Sequence, residues 1–142
     1  MPTVLKSVLV PRPARTMFDL VDDVESYPEF LPWCSGAKVY ERSDALTRAR
    51  IEIDYYGLTS HFSTLNRKEA PRRMDLEWVE GPLESFTGHW TFVALGEAGC
   101  RVELSLAYAF SNPALSALLG PVFGHIMETL VDRFVARAEA RP

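Results

Sequence analysis

Hydrophobic positions along this chain follow two periods. Residues 3–10, TVLKSVLV, are rich in β-branched side chains and predict a short strand that stops before Pro11 and Pro13. Met17, Leu20, Val21 and Val24 then recur at i, i+3, i+4 and i+7, with Asp19, Asp22 and Asp23 turned away, which predicts an amphipathic helix. Pro13 suits the first turn of that helix, where a missing N–H does no harm. Because the residue before a proline disfavours the α region, the helix must end by about Tyr27.

Further along, the period becomes two. AKVYE, RARIEIDYY, HFSTLNRK, RMDLEWVE, HWTFVAL and CRVELSLAYAF alternate or run β-rich, and the turn signals SDAL, YGL, EAP, EGP and GEAG separate them. Ile51, Ile53 and Tyr55 share one face of their segment, opposite Arg50, Glu52 and Asp54. Met74, Leu76 and Trp78 do the same, as do Val102, Leu104, Leu106 and Tyr108. One-sided alternation on successive strands predicts an antiparallel meander with one wet face and one dry face.

The dry face needs a cover, and the C-terminal segment supplies one. Asn112 is a good N-cap and Pro113 a good first helical residue. Apolar residues then recur from Leu115 through Leu119, Val122, Phe123, Ile126 and Met127 to Phe134, so a helix is expected over roughly 113–139. From Ala114 to Met127 only Ser116 and His125 are polar, and Gly120-Pro121 falls mid-helix, where the proline leaves the Ala117 carbonyl without its helical donor. Such a helix is either buried all round, or it grips the sheet with one side while walling a cavity or facing another apolar surface with the other.

One stretch fits neither period. SYPEFLPWC, residues 26–34, packs two prolines, three aromatics, a leucine and a cysteine around a single charge, Glu29. A loop in water should be polar. The expectation is that Tyr27, Phe30, Leu31 and Trp33 form an apolar rim closing one end of the space under the long helix. Phe30→Asp should then weaken ligand retention more than it lowers the melting temperature.

Composition narrows the class. The 142 residues suit one domain, 1–142, and 47% hydrophobic with 24% charged is ordinary globular material. The N-terminal MPTVLKSVLVPRPAR lacks a signal-peptide h-region, and no stretch is expected to reach the ~18 apolar residues of a membrane span. Cys34 and Cys100 are far apart in sequence and suit two reduced thiols in a cytoplasmic protein. A net charge of −4 argues against DNA binding, which needs a concentrated basic face. The local exception, Arg67, Lys68, Arg72 and Arg73 within NRKEAPRR, reads as a solvated turn in preference to a phosphate-binding patch.

Catalytic chemistry is hard to find. His61, His89 and His125 fall on different elements with no metal spacing, and no nucleophile elbow, P-loop or dinucleotide fingerprint occurs. The carboxylates fall mainly on wet faces, where acid–base work is disfavoured. No enzyme activity, catalytic residue, metal or required cofactor is expected.

The order β, α, short broken α, six-stranded meander, long α is the helix-grip arrangement of an α+β fold, with about seven strands in a curved antiparallel sheet. VPRPARTMFDLVDDVESYPEFLPWC, GPLESFTGHWTF and AFSNPALSALLGPVFGHIMETLVDRFVARA resemble the START-type family of coenzyme Q-binding proteins, with which a ribosome-association toxin and oligoketide cyclase-like proteins are grouped. The most specific parts are DV-x-x-YP-x-F-x-P, and GP-[LF] followed by G-x-W. The C-terminal run looks closer to the ribosome-association branch than to the mitochondrial one. The resemblance implies a hydrophobic pocket between sheet and helix that takes ubiquinone or a similar prenyl lipid in support of respiratory electron transport. It equally raises contact with the large ribosomal subunit, blocking subunit joining, and, less strongly, polyketide cyclisation. A transient membrane contact, at the inner-membrane periphery, would go with lipid loading. The residues expected to contact the ligand are the rim residues Tyr27, Phe30, Leu31 and Trp33; Ile51, Ile53, Tyr55, Leu76, Trp78, Leu83, Trp90, Phe92 and Leu104 on the strands; and Leu119 and Phe123 on the long helix.

Overall fold

A computed structural model describes residues 3–140. Strand β1 (Thr3–Val10) leads into helix α1 (Ala14–Asp22) and a 3₁₀ segment (Val24–Glu29). A six-strand meander follows: β2 (Cys34–Arg42), β3 (Leu46–Tyr55), β4 (Leu58–Glu69), β5 (Arg73–Glu80), β6 (Leu83–Leu95) and β7 (Gly99–Phe110). Helix α2 (Pro113–Ala140) completes the fold. The sheet order β1-β7-β6-β5-β4-β3-β2 is antiparallel throughout, because hairpins join each meander strand to the next and β1 adds beside β7. This is the helix-grip α+β fold that the alternation predicts.

α2 covers the dry face. Asn112 caps it twice: its side-chain oxygen accepts from the Leu115 N–H at 2.9 Å, and its carbonyl accepts from the Ser116 N–H at 3.1 Å. Leu119, Val122, Phe123, Ile126, Met127, Val131 and Phe134 form its buried stripe. Phe123 meets Phe62, Tyr108 and Phe110, while Phe134 meets Tyr27, Phe30 and Trp90. The other side of its first half is apolar yet open, with Leu118 55% exposed. By length and composition α2 is also apolar enough to cross a membrane, contrary to the expectation that no stretch would be. Here its buried stripe lies on the sheet.

Two features depart from the sequence reading near α1. The α-helix stops at Asp22, six residues before Pro28, because Asp23 leaves helical geometry at ψ 65°. Pro28 then sits inside the 3₁₀ segment, so this proline does not end the helix. Asp22 is also not turned away. Its carboxylate accepts from the Thr47 hydroxyl at 2.8 Å and pairs with the Lys68 ammonium at 3.0 Å, tying α1 to β3 and β4. The Lys68 side chain is only 5% exposed, so it is not part of a solvated turn. Arg67, Arg72 and Arg73 each meet a carboxylate as well: Glu77, Glu69 and Asp75.

Strand β6 begins six residues earlier than HWTFVAL predicts. A register shift between Leu83 and Ser85 breaks the alternation there, and Gly88 contributes no side chain to the pattern. Gly88 is required where it stands. A Cβ would lie 2.4 Å from the Leu106 side chain and 2.9 Å from the Ser105 carbonyl. Gly81, at φ +145°, would place a Cβ 2.4 Å from the Trp78 ring. The G-x-W and GP elements of the sequence therefore mark close packing on the concave side.

Candidate ligand-binding cavity

Packing between α2 and the sheet is not complete. A cavity of about 70 Å³ remains. Its floor comes from inward positions of five strands: Ala49 and Ile51, then Phe62, Thr64 and Asn66, then Met74 and Leu76, Phe86 and Trp90, and Leu104 and Leu106. Met127, Leu130 and Phe134 of α2 form the roof. Val21, Val24, Tyr27 and Trp33 close the end beneath α1 and the 3₁₀ segment.

Among the described residues the wall holds no charged side chain, so a charged cargo would lose its hydration without a partner. Its polar pair, Thr64 and Asn66, is buried, and the Thr64 hydroxyl bonds the Asn66 side-chain oxygen at 2.8 Å. The Tyr27 hydroxyl donates to the carbonyl of Val21, another wall residue. Burial, reinforced by the Asp22 charge, raises the Tyr27 phenol well above its ordinary pKa and keeps it a proton donor. Sites for drug-sized ligands typically enclose about 300–1,000 Å³. Seventy is room for a few carbon atoms, so a longer chain enters only as the walls part.

The expected ligand residues fall into three places. Tyr27, Trp33, Ile51, Leu76, Trp90 and Leu104 lie on the cavity wall. Tyr55 stands beside a separate, more open pocket that also touches Trp33. The remaining residues pack elsewhere in the core. Leu31 and Ile53 are each 1% exposed, and Phe92 stacks on Trp90 and meets Phe18 of α1. Leu83 is buried and pairs with Phe110, Phe123 meets Phe62 and Phe110, Leu119 is buried on α2, and half-buried Trp78 stacks on Phe62. Phe30 packs on Tyr27 and Phe134 beneath the Arg137 guanidinium, which pairs with Glu29 at 2.8 Å. The apolar SYPEFLPWC stretch is thus clamped to the end of α2.

Thr64, Asn66 and Phe62 are wall residues that the alternation could have supplied. In HFSTLNRK, Phe62, Thr64 and Asn66 share one parity, and the buried Ala49 lies opposite Thr64. Treating polar residues as outward-facing hides them. Val21, Val24, Met74, Met127, Leu130 and Phe134 were legible as apolar but gave no sign of bordering a gap.

Among the described residues no group of three or more His, Cys, Asp or Glu side chains could hold a metal. Both cysteines are buried free thiols, and burial pushes Cys34 up to about 11.

Comparisons with known proteins agree with this architecture. The chain is 41% identical over 134 residues to the ribosome association toxin RatA of Pseudomonas aeruginosa, covering 94% of this chain and 93% of that one. It is 41% identical over 127 residues to the mitochondrial coenzyme Q-binding protein COQ10 homolog B of Xenopus laevis, covering 86% of this chain and 52% of that protein. The crystal structure of the Zhui aromatase/cyclase from Streptomyces sp. R1128 shares the fold at 16% identity, with a TM-score of 0.84 over 99% of this chain and 94% of the other. The profile of one family matches residues 10–135, and the chain belongs to that family, polyketide cyclase/dehydrase and lipid transport.

Proposed function

We propose that this protein binds, without transforming it, a neutral hydrophobic molecule between the sheet and α2, with a prenyl quinone such as ubiquinone as the best-fitting class. The observation that carries the reading is an internal gap bounded by residues from every layer of the fold and free of charged groups. A prenyl tail matches such a wall at about 25 cal/mol per Å² of apolar surface removed from water, and it asks for no ionic partner. The name of the Xenopus relative supports the quinone class. Binding is preferred to cyclisation because the wall's polar groups, Thr64, Asn66 and a phenol held protonated, include no base for proton abstraction. Exposed, uncharged Ala114, Ala117, Leu118 and Pro121 on α2 give a surface on which the protein could rest on lipid while cargo exchanges. Titration with a short-tailed quinone, followed through quenching of the buried Trp33 and Trp90, tests this directly. Absence of saturable quenching refutes it.

A second reading is carried by a different observation: similarity to proteins named RatA runs along almost the whole chain. Association with the large ribosomal subunit is then expected, through a surface other than the NRKEAPRR turn, whose four cations already have carboxylate partners. Co-sedimentation with 50S particles should survive Arg72→Glu with Arg73→Glu. Loss on that double change would restore the basic turn as the contact, and no co-sedimentation of the wild type would refute the reading. An internal cavity and an external ribosome contact are compatible in one molecule.

A further inference from the structure

Beside the inner cavity lies a second, more open pocket of about 320 Å³, bordered by the 3₁₀–β2 link, the β3–β4 tip and the middle of α2. The two spaces share one wall residue, Trp33. Its backbone is pinned, because the Trp33 carbonyl accepts from the Asp54 N–H at 2.9 Å. The side chain is anomalous: Trp33 is 5% exposed, yet its indole Nε1–H is buried with no acceptor among the described residues. Buried donors in folded proteins are nearly always paired, so this one calls for an acceptor brought from outside.

The outer pocket has the character of a mouth. Asp54 and Arg133 offset each other in charge, and His125, Thr129 and Tyr55 add hydrogen-bonding groups. Tyr56 at its edge is 93% exposed, and its φ of +51°, with Gly57 at +87°, is that of the two-residue turn joining β3 to β4.

We propose that the outer pocket is the head-group site of a neutral amphiphile whose apolar part passes Trp33 into the inner cavity and whose carbonyl or ether oxygen accepts the Trp33 Nε1–H. The assignment rests on the reading that the inner cavity takes apolar cargo, and it adds the ligand's direction and the chemistry of its head. The offsetting charges favour an uncharged head over a carboxylate or phosphate.

The test compares two probes by calorimetric titration: a ubiquinone with a one-isoprene tail, and farnesene, a prenyl hydrocarbon without oxygen. Trp33→Phe keeps an aromatic wall and removes the donor. Quinone affinity should fall about tenfold, the 1.4 kcal/mol of one neutral hydrogen bond, while farnesene affinity stays within about twofold. In the wild type the Trp33 indole N–H resonance should move on adding quinone and stay put with farnesene, which needs no variant to fold. Equal quinone affinity in both proteins, equal loss of both probes, or an unmoved indole resonance overturns the head-group site and leaves the cavity reading standing. Failure of wild-type protein to bind either probe overturns both. Tighter binding of a fatty-acid anion than of the quinone overturns the neutral head.

Discussion

Ala49 offers a way to separate the cavity from the rest of the core. It is 2% exposed on β3, opposite Thr64, and its side chain is the smallest on the cavity wall. Ala49→Ile adds three carbons at a strand position that suits a β-branched side chain. A gap costs about 24 cal/mol per Å³, so filling all 70 Å³ should stabilise the empty protein by up to about 1.7 kcal/mol. For a chain of this length that is a rise of about 5 °C in melting temperature. The same substitution should abolish quinone uptake, because it occupies the space the tail would enter. Both are read from thermal melts of delipidated protein and from quinone titration of the same sample. Ala49→Val, with one carbon fewer, should give a smaller rise and a partial loss. A rise in melting temperature with undiminished uptake would place the ligand elsewhere. A fall would mean that the added carbons overpack a core with no space to give, at a cost of about 1–3 kcal/mol.

Other consequences are independent of the ligand. Asp22→Ala strands the buried Lys68 ammonium and should destabilise by about 3–5 kcal/mol in urea denaturation, whereas Asp22→Ala combined with Lys68→Met should recover much of that loss. Gly88→Ala forces a Cβ against Leu106 and the Ser105 carbonyl and should cost about 1–3 kcal/mol, read from the same denaturation midpoint. Cys34, Tyr27 and Tyr108 all have raised pKa values from burial, so each binds its proton more tightly folded than unfolded. The unfolded chain therefore loses protons first as pH rises, and stability should fall from about pH 9 through the folded Cys34 value of about 11. A flat stability profile over that window would contradict the burial of these groups. Below it, Cys34 should resist thiol reagents until the chain unfolds.

The fold was largely written in the alternation. RARIEIDYY, RMDLEWVE and CRVELSLAYAF carry their burial in their parity, and Asn112-Pro113 marks the start of α2 to the residue. What could not be read was local geometry that interrupts a period. The Leu83–Ser85 register shift hid the first half of β6, and the turn at Asp23 hid the true end of α1. The candidate site was less legible because parity tells which way a side chain points but not whether its neighbours meet. Ile51 and Ile53 share a face, yet only Ile51 borders the gap. The reverse error concerns polarity: Asp22, Lys68, Thr64 and Asn66 look like solvent-facing residues, and each finds a partner indoors. A buried pair depends on residues distant in sequence, such as Asp22 and Lys68, and no single segment announces it.

The most direct test of a quinone-binding cavity is to purify the protein from a quinone-producing bacterium, extract it with organic solvent and identify the extract by mass spectrometry. The account predicts a prenyl quinone that co-purifies in near-stoichiometric amount with the wild type and is absent from Ala49→Ile. A wild-type extract free of quinone, from protein that also takes up none when it is supplied, would contradict it.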